Sequence, residues 1–261
     1  MEYLRRPGEG GPGFCYESDP DLFRGATSLV DGPLLIGLDS NIIYDFEAHG
    51  LQILEQTETE GIDELRRREL DALGELINLW LVRDIRFIVV PRIRGDFRKL
   101  PSPSRQVERE RLLRRIEQAL TFQLDDWGRE AERFGGDRPL PPGTERALAK
   151  VSSLDALMLR SAWNSGVDVF LTRDHKVHTI EASLPAPFPM ILSPSQLVSR
   201  IHKMRGDLFS LGQIAHDGCT WRDSFPMGDT GKWVPLLEAL GLGIERSTSL
   251  PAVERRRRQG Q

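Results

Sequence analysis

Cysteine is scarce in this chain of 261 residues: there are two, Cys15 and Cys219, with no CxxC and no cluster of histidines beside either. That excludes a disulfide framework and gives no zinc-binding pattern, so a reducing compartment is expected. Nowhere do about 18 apolar residues follow one another, the length a membrane-spanning helix needs. The opening MEYLRRPGEGGPGF carries charge but no following apolar run, which predicts no secretory leader and a cytoplasmic location. Lysine is rare as well. Only 5 of the 35 basic residues are Lys, a bias that fits a GC-rich bacterial genome better than a chemical need. Internal repeats are absent, and the net charge of −4 removes global charge as an argument for nucleic-acid binding. Any such argument must be local. What remains is a chain with 39% apolar residues, long enough to bury a sizeable core as one large domain with extensions.

Residues 1–31, rich in Gly, Pro and acids, read as an irregular arm with a short ordered piece around Leu22 and Phe23. From Leu34 to Leu38 an apolar run ends in Asp39-Ser40-Asn41, which suits a buried parallel strand delivering polar side chains at its carboxyl end. A helix is expected to begin within 42–48. Leu65, Leu73, Leu76, Ile77 and Trp80 give an amphipathic helix over 64–82, and Phe87-Ile88-Val89-Val90 a second strand. A long amphipathic helix is expected over 105–134, then a loop over 135–142, with Thr144 capping the next helix. Asp155 is expected mid-helix, on a segment whose buried face is marked by Leu154, Leu157, Met158, Ala162 and Trp163. Strands at 167–172 and 190–192 and a closing helix over 196–204 complete the pattern. Strands separated by helices predict an α/β three-layer sandwich around a mainly parallel sheet, spanning 32–204, followed by a C-terminal extension, 205–261, with a basic tail at Arg255 to Arg258.

In an open parallel sheet, functional groups collect at the carboxyl ends of the strands. Asp39 ends the first strand, Asp96 follows the second, Asp174 follows the third, and Asp155 lies on the helix leading into that third strand. Four converging carboxylates repel one another, so such a cluster makes sense around hard cations, Mg²⁺ or Mn²⁺. Metal ions held by carboxylates can activate water and stabilise charge on a phosphodiester. Residues 34 to about 200 resemble a PIN domain, the fold of many metal-dependent ribonucleases, including toxins of bacterial toxin/antitoxin pairs. The resemblance is carried by Leu38-Asp39-Ser40-Asn41, by Leu154-Asp155-Ala156-Leu157 and by Leu171-Thr172-Arg173-Asp174, in that order. It implies a metal-dependent endoribonuclease in which Asp39, Asp96, Asp155 and Asp174 are the metal-binding and catalytic acids. At the second acid the family usually has Glu. Asp96 is one methylene shorter, with Asp45 and Glu47 the nearest substitutes in sequence.

Simpler roles compete for each residue. An Asp after a strand can cap a turn or a helix, and Asn41 and Thr172, expected to orient a ligand or water, can equally serve a local turn. Between 92 and 115 basic residues exceed acidic ones by six. Arg92, Arg94, Arg98 and Lys99, nearest Asp96, are the expected RNA contacts, while the run from Arg105 onward reads equally well as a solvated helix face. RNA is the expected partner, with a protein inhibitor of antitoxin type or a second copy of the chain as others, and no membrane. The alternative reading is a catalytically weak PIN-like module that binds RNA or protein.

Overall fold

The computed structural model describes residue 22, residues 34–55, 61–82, 85–93 and 137–205, and most positions from 103 to 114. The arm apart from Leu22, residues 94–102, the second half of the helix expected over 105–134 and the C-terminal extension lie outside the described residues. Strand β1 (Leu34–Leu38) is buried at every position, as its unbroken apolar run requires of a central strand. Helix α1 (Ser40–Glu55) follows at once and is kinked at His49, whose backbone leaves the helical region. Helix α2 (Glu64–Val82) leads to β2 (Ile85–Val89), two residues earlier than the apolar run suggests, because Leu34 of β1 pairs with Ile85.

The described positions between 103 and 114 are helical. Next come the short α3 (Thr144–Leu148), α4 (Ser153–Asn164), β3 (Val169–Leu171), the single-turn α5 (His175–His178), a 3₁₀ turn over Glu181–Ser183, β4 (Met190–Leu192) and α6 (Pro194–Arg205). Thr144 is the first helical residue of α3 rather than its cap; Gly143, with φ +86°, takes the cap position in a left-handed conformation open to glycine. Leu154 and Leu157, expected on the buried face of α4, are 39% and 44% exposed, and Met158, Leu159, Ala162 and Trp163 form that face instead.

The four strands are all parallel, in the order β2-β1-β3-β4. The fold is therefore α/β with an open parallel sheet. Its core gathers Trp80, Phe87, Phe170, Phe188 and the β1 residues, and Leu22 of the arm joins it fully buried. Two buried polar devices hold the sheet and its flanks. Asp168, just before β3, accepts the Leu35 N–H at 2.8 Å through its carboxylate while its own N–H donates to the Leu35 carbonyl. Glu69 of α2 accepts from the Ser195 N–H at 3.0 Å and from the Ser193 and Ser195 hydroxyls, so a carboxylate from one helix satisfies an open amide at the start of another. Among the described residues no helix is long and apolar enough to cross a membrane.

Candidate functional site

The strand order fixes where a site can form. From β1 the chain crosses to β2 on one side, and from β3 to β4 on the other, so the connections diverge between β1 and β3. In open parallel sheets ligands commonly bind at the carboxyl edge beside such a switch point. Asp39 stands at the end of β1 and Thr172 at the end of β3, on the two sides of it. Their backbones are already joined, the Asp39 N–H donating to the Leu171 carbonyl at 3.0 Å.

Asp39 is 8% exposed and accepts four hydrogen bonds. Its Oδ2 takes the Thr172 hydroxyl at 2.6 Å and the Asn41 side-chain amide at 2.6 Å; its Oδ1 takes the Ser40 N–H at 2.6 Å and the Ser40 hydroxyl at 3.3 Å. Thr172 is saturated: its one proton goes to Asp39, and its oxygen accepts from Asn41 Nδ2 at 2.9 Å and from the Asp174 N–H at 3.0 Å. Asn41 completes the join by accepting the Arg173 N–H at 3.1 Å. Burial pushes the Asp39 carboxyl above its ordinary value, the Thr172 and Ser40 bonds pull it back, and the negative charge of Asp155 pushes it up again. The charge of Asp155 thus reaches Asp39, 116 positions away in sequence.

Asp155 does not sit mid-helix. It is the third residue of α4, where its N–H donates to the Ser152 hydroxyl at 3.2 Å and its Oδ2 accepts that hydroxyl's proton at 2.6 Å. A serine cap followed three residues later by an acid fixes this helix start, and among the described residues no hydrogen bond engages the other carboxylate oxygen of Asp155. Asp174 caps α5, accepting the Lys176 N–H at 2.8 Å, and reaches the Asp39 network through its backbone N–H. His178 contacts the Thr172 carbonyl at 3.0 Å.

Asp96, Arg94, Arg98 and Lys99 lie outside the described residues. Arg92 is described, half-buried, with its N–H donating to the Ser161 hydroxyl of α4 at 3.4 Å. Neither substitute for the second acid is uncommitted. Glu47 is paired with Arg109 at 3.0 Å, and Arg109 also lies over the Tyr44 ring, so part of the basic run is spent on α1. Asp45, only 1% exposed, is held between Arg66 and the fork of Arg173, at 2.5 and 3.0 Å for the latter. The sequence reading missed this buried pair. Its signal was the spacing of Asn41 and Asp45, one helical turn apart, which turns both toward Arg173.

Among the described residues no group of three or more His, Cys, Asp or Glu is gathered as a metal cluster. Magnesium is commonly held by one or two carboxylates and keeps several waters, and Asp39 and Asp155 are the described acids that could hold one. A cation there would relieve both the desolvation of Asp39 and its repulsion by Asp155. The weak 3.3 Å bond from Ser40 marks Oδ1 as the Asp39 oxygen most easily freed. Comparison of the chain with protein-family models, with curated proteins and with solved structures finds no match.

Proposed function

We propose that the protein is a PIN-like endoribonuclease dependent on Mg²⁺ or Mn²⁺, built as a three-layer sandwich around its parallel sheet. The observation that supports this reading is the position of Asp39 at the carboxyl end of β1, beside the β1/β3 switch point, with the charge of Asp155 adding to the push on its carboxyl. Asp39 and Asp155 hold the metal, Asp96 and Asp174 complete the acidic surroundings, and Arg92, Arg94, Arg98 and Lys99 receive the RNA backbone. The ion supplies Lewis-acid charge to a phosphodiester. Thr172 and Asn41 aim the Asp39 carboxylate, and Ser152 aims that of Asp155. A toxin-like role with a protein inhibitor belongs to the same reading. Incubating the purified chain with structured and unstructured RNA, with Mg²⁺ or Mn²⁺ and with excess EDTA, tests it. Cleavage confined to the metal-containing samples is the expected result.

One observation favours a second reading, a PIN-like module that binds RNA or protein with little catalysis. Among the described residues no group of three or more acids is gathered at the switch point, and Asp174 commits an oxygen to capping α5. RNA bound tightly but left intact at every metal concentration would select it.

A further inference from the structure

A pocket of about 670 Å³ lies against the face of α4 that carries Leu157, Arg160, Ser161 and Asn164, the stripe opposite the one buried in the core. That volume falls within the roughly 300–1,000 Å³ typical of small-molecule sites. Three arginines line it, Arg92, Arg138 and Arg160, against two acids, Asp137 and Glu145. Most of these charges are already spent. Arg160 pairs with Glu145, Asn164 donates to Asp137 at 3.3 Å, and Arg138 lies over the Trp163 ring at 4.1 Å while donating to the Trp163 carbonyl at 3.1 Å.

Arg92 is different. Its side chain has no hydrogen-bond or ion-pair partner among the described residues, and its Nε is enclosed without an acceptor. A partly buried guanidinium without an acceptor is costly, and its planar fork matches a phosphate. The remaining wall is apolar: Pro91, Leu140 and Leu157, the last one of the few large hydrophobic side chains left exposed. An unpaired arginine and apolar side chains lining one pocket offer a fork for a phosphate and a surface on which an attached ring can pack.

We propose that this pocket binds a nucleotide, its phosphate held by Arg92 and its base packed on Leu157 and Leu140. The phosphate can come from a free nucleoside monophosphate or from the 5′ end of an RNA. Arg92 is also one of the basic residues proposed to receive the RNA backbone, and the pocket holds a nucleotide whether or not the protein cleaves RNA.

Calorimetric titration of the full chain in EDTA tests this with AMP, adenosine, and a hexaribonucleotide carrying a 5′-phosphate or a 5′-hydroxyl. AMP is expected to bind at least about tenfold more tightly than adenosine. Arg92→Lys, which keeps the charge and loses the fork, weakens AMP several-fold, and Arg92→Ala weakens it further. Leu157→Asp, at an exposed position that the fold does not need, also weakens it. Tighter binding of the 5′-phosphorylated hexamer than of AMP or of the 5′-hydroxyl hexamer assigns the site to an RNA end; tighter binding of AMP assigns it to the free nucleotide. The proposal is overturned if AMP and adenosine bind alike, if AMP shows no binding up to about 10 mM, or if Arg92→Lys and Leu157→Asp both leave its affinity unchanged.

Discussion

The Thr172 hydroxyl donates to Asp39 Oδ2 at 2.6 Å, tying the carboxyl end of β3 to that of β1 across 133 positions of sequence. The bond stabilises the charged form of a carboxylate that burial would otherwise neutralise. Thr172→Val keeps the shape and removes the donor. The Asp39 carboxyl should then titrate at a higher pH in a carboxyl-resolved NMR experiment, and stability should fall by about 1–3 kcal/mol. An unchanged Asp39 titration would show that the bond does not act on the carboxylate.

Asp39 also makes stability depend on pH. Its folded pKa lies above the ordinary 3.8, so between 3.8 and the folded value the folded protein binds more protons than the unfolded chain. The stability Asp39 contributes is present below 3.8 and is lost as pH rises through that window. In urea denaturation, Asp39→Asn should therefore gain on the parent protein as pH rises through it and hold a constant difference above it. Asp45, also raised by burial, is present in both proteins and cancels.

Asp155 serves two purposes that mutation can separate. Asp155→Asn keeps an oxygen for the Ser152 hydroxyl and removes the charge, so the Asp39 pKa should fall, cleavage should be lost and the apo fold should stay as stable or become more so. Ser152→Ala removes the helix cap and should cost about 1 kcal/mol in thermal denaturation. A clear loss of stability in Asp155→Asn would assign Asp155 to the cap alone.

Much of the sheet was legible because buried parallel strands are written as apolar runs. Leu34 to Leu38 and Met190 to Leu192 have the bounds the sequence suggests, and Asp39 stands where the first run ends. The ends of β2 were less legible, since pairing with β1 and not composition decides them. The start of α4 near Ser152 was legible, but the place of Asp155 was not: Ser152-Ser153-Leu154-Asp155 is a capping pattern, and its local hydrogen bonds put Asp155 in the first turn and not mid-helix. The meeting of Asn41 with Thr172, and of Asp45 with Arg173, depends on strands β1 and β3 lying side by side. Nothing in the order of residues states that adjacency.

Packing beneath the site is tight at Gly37, the β1 residue two before Asp39. A β-carbon there would meet the Val167 side chain at 3.1 Å and Val90 at 3.3 Å. Gly37→Ala should cost about 1–3 kcal/mol in chemical denaturation, because the two β-branched neighbours have little room to move. A cost near zero would mean that the contact between β1 and the segments before β3 and after β2 is looser than described.

Whether Asp39 works through a bound divalent ion on RNA is tested most directly by comparing the parent chain with Asp39→Asn in an Mn²⁺ titration of single-stranded RNA cleavage. Cleavage by the parent is expected to rise with Mn²⁺ and to be abolished by excess EDTA, and the rate of Asp39→Asn to be at least about 100-fold lower at every metal concentration. Asp39→Asn cleaving at the parent's rate, or parent cleavage that persists in EDTA, would contradict that role.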